Sequence, residues 1–488
     1  SILRSRSRSL SIIPSVPSMT IKKFFPEADV ELTPRLLCSS SDGEHEDSNN
    51  SDSSGSCSSI ADGDRSWVSR LRQMLAVMGP GLMACLADTD GPCLLTAAQS
   101  GAQWGYALLA LQLALVPVLF SAQELTARLG IVRGMGMTAM LRQDVGPIAA
   151  WLVSTPLLAA CVLGLLSEFS IIGQTMTFWG VPVWASNSAV SLTLLSVAAT
   201  GSYAVAETAG LAMGICQVAF FLTMFMAAPK LGSMAEGLVR FPLDQPEFVK
   251  LVTANIGAVI MPWMLAYQQS AICNKGIGQD RRRHLQLARI DTGFGSLLTQ
   301  GVMAAMLVTV AASSKQLGSV GTVHDLVVIF TSVLGNEFRA KMLLTFAIVG
   351  ACMVAAIVQT LCAAWTFEQA MGRATATLPP ESDESAGLLE RVVQNVRARP
   401  LFYVAYTVVC AGAFTFTLVM DNAVDLSIWT EFCNGVLMPP VIFTLWYLAA
   451  FRLPPEYKLG ICYRWIVFVV FLVCSLFCVG SIFDSLRG

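Results

Sequence analysis

Residues 79–106 read GPGLMACLADTDGPCLLTAAQSGAQWGY, an apolar helix broken at its centre by Asp88, Thr89, Asp90, Gly91 and Pro92. Two carboxylates at membrane depth cost several kcal/mol unless they meet a partner, so ionisable residues there mark a functional site. Gly91 and Pro92 are expected to stop the helix and leave backbone carbonyls free for a cation. Irregular backbone inside a bilayer survives only where it lines a cavity or is buried in protein. The chemistry these residues point to is cation binding halfway across a membrane.

A second apolar stretch is interrupted in the same way. Ala254-Asn255-Ile256-Gly257-Ala258-Val259-Ile260-Met261-Pro262-Trp263 carries a proline in mid-span, which frees carbonyls one turn earlier, that of Ala258 among them. Proline kinks alone are common in spanning helices. Two breaks at similar depth, five helices apart, point instead to an inverted-repeat transporter with its site between the repeats. Glu168, also in mid-span, suits either a helix-packing hydrogen bond as the neutral acid or a place beside the ion path. Gln174, Gln268 and Gln269 can bond water along such a path or bond a neighbouring helix. Glu124 and Arg128 are spaced i, i+4 and so share one helix face, as a structural or gating ion pair.

Spanning helices must position these groups. Of the 488 residues, 54% are hydrophobic and 13% charged. Soluble domains carry roughly a quarter charged residues, so the composition is that of an integral membrane protein. Eleven apolar segments reach the roughly 20 residues that a span needs. They lie near 72–99 (broken), 104–128, 147–178, 184–200, 207–229, 249–274 (broken), 286–313, 324–370, 400–420, 427–451 and 462–484. The eighth is long enough to include a short outer helix before Lys341. Alternate connections carry Arg70, Arg72, Arg128, Arg133, Arg142, Lys275, Arg281, Arg282, Arg283, Arg373, Arg391, Arg397, Arg399, Arg452, Lys458 and Arg464. The connections near 100–104, 179–184 and 420–426 carry no Lys or Arg. That bias places the basic connections and the N-terminus in the cytosol.

Residues 1–65 are of another kind. The serine-rich, acidic run at 39–59 has almost no apolar residues and is expected to be a disordered cytosolic tail. The Arg/Ser-rich start, SILRSRSRSLS, has the composition of a transit peptide. It leans toward an organelle and leaves the plasma membrane open. Glu381, Asp383 and Glu384, in the inner loop 372–399, read as solvated charges.

Composition also excludes chemistries. The fourteen cysteines contain no CxxC pair, and Cys85, Cys161, Cys216, Cys352, Cys410 and Cys474 lie in apolar segments, where a thiol is a small hydrophobe. The three histidines, His45, His284 and His324, are not in mid-span. This rules out a haem, a catalytic zinc or a histidine proton relay within the membrane. No nucleophile, hydrolase motif or phosphate loop supports an enzyme, and no cofactor is called for. The partners expected are a divalent metal ion and the lipid bilayer, with no nucleic acid and no obligate protein partner.

The GPG at 79–81, the acid-led break at Asp90, GAQWGY at 101–106 and A-x-x-M-P at 258–262 together resemble the NRAMP family of divalent-metal transporters. The likeness covers roughly 72–484, taken as one transmembrane domain. It implies an all-α, leucine-transporter-like fold with five plus five helices in inverted repeat and one added helix. It also implies metal ligands: the family's helix-one ligands fall on Asp90 and Cys93, and those of helix six on the Ala258 carbonyl and the Met261 sulfur.

Several positions depart from the family. Its ligand asparagine is Cys93, and an extra acid, Asp88, precedes Asp90. The histidine after the helix-six proline is Trp263, and the later one is Gln268 or Gln269. The helix-three glutamate is kept as Glu168, but the following acids fall on Thr175 and Phe178. Helix ten reads Trp429-Thr-Glu431-Phe-Cys-Asn434. The lost groups belong to the family's proton route. The chain is therefore closest to the NRAMP-related magnesium transporters, which implies Mg²⁺ moved partly hydrated and without protons. Asp88, Thr89, Asp90, Glu431 and Asn434 would supply oxygens or hold its waters, as suits a hard ion reluctant to dehydrate. Cys93 and Met261 argue for Mn²⁺ or Fe²⁺, coupled to protons, because sulfur favours softer metals. An organic-solute carrier is disfavoured, since Asp88 and Asp90 would repel a substrate carboxylate. A non-transporting sensor with the same fold is a remote alternative, with only a short tail for output.

Overall fold

The computed structural model describes residues 80–200, 203–275, 280–313, 319–373, 388–418 and 422–487. The serine-rich tail, Arg70, Arg72, Glu381, Asp383 and Glu384 lie outside that range. Among the described residues every regular element is helical. In chain order these are α1 (Pro80–Asp88), α2 (Gly91–Trp104), α3 (Leu109–Arg133), α4 (Met137–Asp144), α5 (Pro147–Met176), α6 (Val183–Thr200), α7 (Tyr203–Gly214), α8 (Ala219–Met226) and α9 (Leu231–Gly237). The second half contains α10 (Pro246–Val259), α11 (Pro262–Lys275), α12 (Arg281–Ser313), α13 (Val323–Leu334), α14 (Glu337–Leu344), α15 (Gly350–Ala370), α16 (Leu388–Ala398), α17 (Pro400–Thr417), α18 (Ala423–Tyr447) and α19 (Ile461–Arg487).

Among the described residues, all eleven apolar segments contain helices, and nine helices are long and apolar enough to span a bilayer by themselves. The other two are the broken pair α1/α2 and the shorter α6. Side chains such as Leu152, Leu192, Phe225, Val408, Ile466 and Val469 are exposed on the outer surface of the bundle. A water-soluble protein would not bare so continuous an apolar exterior. The chain is a multi-pass membrane protein.

Boundaries differ from the sequence reading where turn chemistry intervenes. The first segment runs on to Trp104, because Gly105 (φ 60°) supplies the stop and returns its N–H to the Gly101 carbonyl. The expected short helix before Lys341 is α13, with a Thr322/Asp325 capping box, while Lys341 lies inside α14. Part of the loop read as solvated charges is the amphipathic helix α16.

The two interrupted helices are the most deeply enclosed parts of the bundle. Pro246–Asn274 is buried over most of its length, with α10 packed along α18. That approach is close enough to require glycine. A Cβ on Gly257 would run into the carbonyl of Glu431 and the amide of Gly435. Gly257→Ala is therefore expected to push α10 off α18 and destabilise the protein by about 1–3 kcal/mol, as overpacking does. Thermal unfolding of the purified variant measures this; an unchanged midpoint would mean that the two helices have slack.

Candidate metal centre at the helix breaks

The first break is shorter than the sequence suggested. Only Thr89 and Asp90 are non-helical, and Gly91 and Pro92 begin α2 rather than end α1. The correction follows from proline's geometry: its missing N–H costs nothing in the first turn of a helix. Asp90 is the N-cap of α2, with Oδ1 accepting from the Cys93 N–H at 2.9 Å. Such a cap satisfies one orphan donor and fixes the carboxylate in place. The other oxygen, Oδ2, is buried without a partner. Thr89 turns away: its hydroxyl donates to Gln217 Oε1 and lies against the carbonyls of Cys85 and Leu86.

The second break is Ile260-Met261, between α10 and α11. Pro262 leaves the Ala258 carbonyl without its intrahelical donor. The thiol of Cys93 takes that role at 3.2 Å, so the two breaks meet directly. Met261 is fully buried at the junction.

Helix α18 completes the constellation. Glu431 and Asn434, one turn apart, are both fully buried. Asn434 Nδ2 donates to Glu431 Oε2 at 3.0 Å, leaving Glu431 Oε1 and Asn434 Oδ1 without partners. Ligand atoms of Asp90, Cys93 and Glu431 all lie within 4.8 Å of one another. An ion centred among them would be no farther than about 2.8 Å from each, close to direct coordination.

A fourth acid borders this group. Glu168 on α5 accepts from Gln359 Nε2 at 3.4 Å and turns Oε2 toward Gly91, where any Cβ would crowd it and the Cys352 thiol. Glycine at 91 thus admits the glutamate to the start of α2. Asp90 is within electrostatic reach of Glu168 and Glu431, and Asp88 is within reach of Asp90 and Glu431. Ion pairs among the described residues occupy Glu124, Asp144, Glu337, Glu368 and Glu456, and none involves these four acids. Buried carboxylates are ordinarily paired or bound to metal. Here the missing complement is positive charge.

Other residues singled out from the sequence lie elsewhere. Glu124 is held by both Arg128 (2.5 Å) and Arg289 (3.0 Å), and Arg128 also donates to the Tyr457 carbonyl. Gln268 accepts from Thr126, and Gln269 donates to the Met135 carbonyl. Both lie about 10 Å or more along α11 from Met261. Gln174 is half-buried near the end of α5, two turns beyond Glu168. Twelve described cysteines are free, in keeping with their reading as small hydrophobes. Sequence reasoning missed Gln217, Gln359 and Cys352 as neighbours of the site. The two amides carried a signal, being polar groups inside apolar segments. Cys352 carried none.

Further contacts tie the broken helices to their neighbours. Toward α1, Tyr267 donates to Met83 Sδ at 3.1 Å and stacks on Trp365, 5.7 Å between ring centres. Toward the far end of α2, Gln112, Asn255 and Ser100 form a hydrogen-bonded chain.

Two helices interrupted at mid-depth, with carboxylates converging on the breaks, define a multi-pass membrane protein of transporter architecture. Residues 81–484 match the family described as Natural resistance-associated macrophage protein-like, and the chain belongs to that family, Nramp. It is 27% identical over 254 residues to a protein of Deinococcus radiodurans named divalent metal cation transporter MntH, covering 49% of this chain and 57% of that one. Another, MntH 1 of Pseudomonas aeruginosa, is 28% identical over 302 residues, 58% of this chain and 67% of the relative. The chain thus spans little more than half the length of the Deinococcus relative. Among solved structures it resembles the Eremococcus coleocola manganese transporter (TM-score 0.60, 15% identity, 85% of this chain and 87% of that one). It also resembles MhsT in complex with L-phenylalanine (TM-score 0.52, 13% identity, 83% and 97%). The fold is all-α and of the leucine-transporter type, as the family resemblance implied.

Proposed function

We propose that this protein carries a divalent metal cation across a membrane by alternating access, holding it between the two helix breaks. The observation that carries the reading is the convergence of Asp90, Cys93 and Glu431, whose ligand atoms lie within 4.8 Å of one another with no basic residue among the described ones paired to either acid. The Ala258 carbonyl, which accepts from the Cys93 thiol, Asn434, which donates to Glu431, and the buried Met261 at the second break are the further ligands of this reading. An ion there would be pulled by unbalanced carboxylates and would displace only the thiol contact with Ala258.

Two ions compete for the role. Mg²⁺ is favoured by the number of carboxylates and by loss of the family's histidines, Trp263 standing where one is expected; its transport would need no proton. Mn²⁺ is favoured by the compactness of the cluster, in which the Cys93 sulfur lies within 4.8 Å of the carboxylates and would suit a softer ion held directly. The proton-coupled form of that reading rests on Glu168, the one acid of the site that belongs to neither break nor α18. The names of the relatives, divalent metal cation transporters, support a divalent cargo, and the similar Eremococcus coleocola structure is named a manganese transporter. Flux into proteoliposomes decides, with Mg²⁺ and Mn²⁺ offered separately and internal pH followed. Mg²⁺ uptake without acidification is the expected result for the uncoupled carrier. Mn²⁺ uptake with acidification, Mg²⁺ being ignored, would replace it with the coupled one.

The basic connections support a cytosolic N-terminus. Arg133 reaches Asp144 and the Arg452 carbonyl, Arg142 reaches the Ala370 carbonyl, and Arg282 approaches Glu456. Connections read as cytosolic from their charge thus interlock at one face.

A further inference from the structure

Asp88 does not belong to the compact centre. Its carboxylate falls outside the group formed by Asp90, Cys93 and Glu431, although only one residue separates it from Asp90. It is the last residue of α1, fully buried, and neither oxygen has a hydrogen-bond partner. Donors are at hand but are spent elsewhere. Thr299 donates to the Cys85 carbonyl at 2.9 Å, Gln217 Nε2 to the Leu86 carbonyl at 3.0 Å, and Thr89 to Gln217. The charges within reach, Asp90 and Glu431, are of the same sign. The helix end itself carries partial negative charge. A bare carboxylate has every local contribution against it there, whereas a cation has every one in its favour.

We infer that Asp88 is a second cation station at the C-terminal end of α1, distinct from the centre formed by Asp90, Cys93 and Glu431 across the break. The inference rests on the reading of Asp90, Cys93 and Glu431 as the first centre. A second station gives an ion leaving the centre a place to go on the α1 side. Mutual repulsion of two bound ions would then speed release, as multi-site conduction requires.

The test uses the full chain in lipid nanodiscs. Cd²⁺, a thiophilic probe, is first bound to saturation at the Cys93 centre, and Mn²⁺ binding is then counted by its electron paramagnetic resonance signal. One Mn²⁺ per Cd²⁺-loaded wild-type chain is expected. Asp88→Asn is expected to weaken that Mn²⁺ roughly tenfold or more while one Cd²⁺ per chain still binds. Asp88→Glu, which keeps the oxygen donors, is expected to retain both ions. No Mn²⁺ on the Cd²⁺-loaded wild type would overturn the second station, and this needs no variant to fold. Loss of Cd²⁺ binding in Asp88→Asn to the extent seen in Asp90→Asn would overturn it too, by merging the two sites. Cd²⁺ binding untouched by both Cys93→Ser and Asp90→Asn would overturn the first centre, and the second with it.

Discussion

Asp90→Ala is expected to abolish metal flux, by about a hundredfold or more, since even residues that merely orient a ligand are worth roughly 10–100-fold. Three effects combine in that one side chain. Its Oδ1 caps α2 through the Cys93 N–H, and loss of an N-cap costs about 1 kcal/mol by itself. Its Oδ2 is buried without a hydrogen-bond partner and, on the proposed function, is free to hold the ion. Its charge joins those of Glu168 and Glu431 in drawing a cation into a region that water cannot screen. Asp90→Asn separates these contributions, because the amide oxygen still caps α2 while the charge is gone. Asparagine is therefore expected to restore folding but not flux. Proteoliposome uptake paired with thermal unfolding reads both. Flux in Asp90→Asn near the wild-type rate would show that the carboxylate is a helix cap and nothing more.

The second large effect concerns stability rather than transport. Glu368, near the end of α15, and Arg399, just before α17, form an ion pair with both side chains 5% exposed. The guanidinium also lies over the Phe402 ring, 4.8 Å from its centre. Arg399→Ala is expected to cost about 3–5 kcal/mol, because it strands a buried carboxylate without its partner. Removing both charges, in Glu368→Gln with Arg399→Gln, is expected to cost less than the single change, since no uncompensated charge is left. Arg399→Lys should fall between, a point charge being unable to reproduce a planar fork. The unfolding midpoints of the wild type, Glu368→Gln, Arg399→Gln and the protein with both changes form a double-mutant cycle. Strict additivity would mean that the pair, though close, contributes no coupling energy.

Neither residue of that pair stood out in the sequence. Arg399 read as one of many topology charges and Glu368 as the tail of a long apolar segment. A salt bridge between two helix ends has no periodicity and no motif, so it shows only when the ends are side by side. The same holds for Glu124. Its i, i+4 partner Arg128 was legible along one helix, but Arg289, on α12, was not.

What the sequence by itself determined about this protein is whatever depends on neighbours along the chain. The spans follow from runs of apolar residues, because a backbone in hydrocarbon must satisfy its own hydrogen bonds. Both breaks follow from proline, glycine and aspartate placed where a helix should continue. Even there local chemistry needed correction: Pro92 starts a helix, and the non-helical stretch shrinks to Thr89 and Asp90. The resemblance named candidate donors, and only the tertiary structure decided which of them converge. Asp90, Cys93, Ala258 and Glu431 come from α2 and its cap, α10 and α18, and they meet because Gly257 lets two backbones touch and Gly91 admits Glu168. It also gave Asp88 and Asp90, near neighbours in sequence, different helix ends, the first closing α1 and the second capping α2. Chain order carries no information about such convergence, which is set by helix packing at distances that no spacing along the sequence encodes.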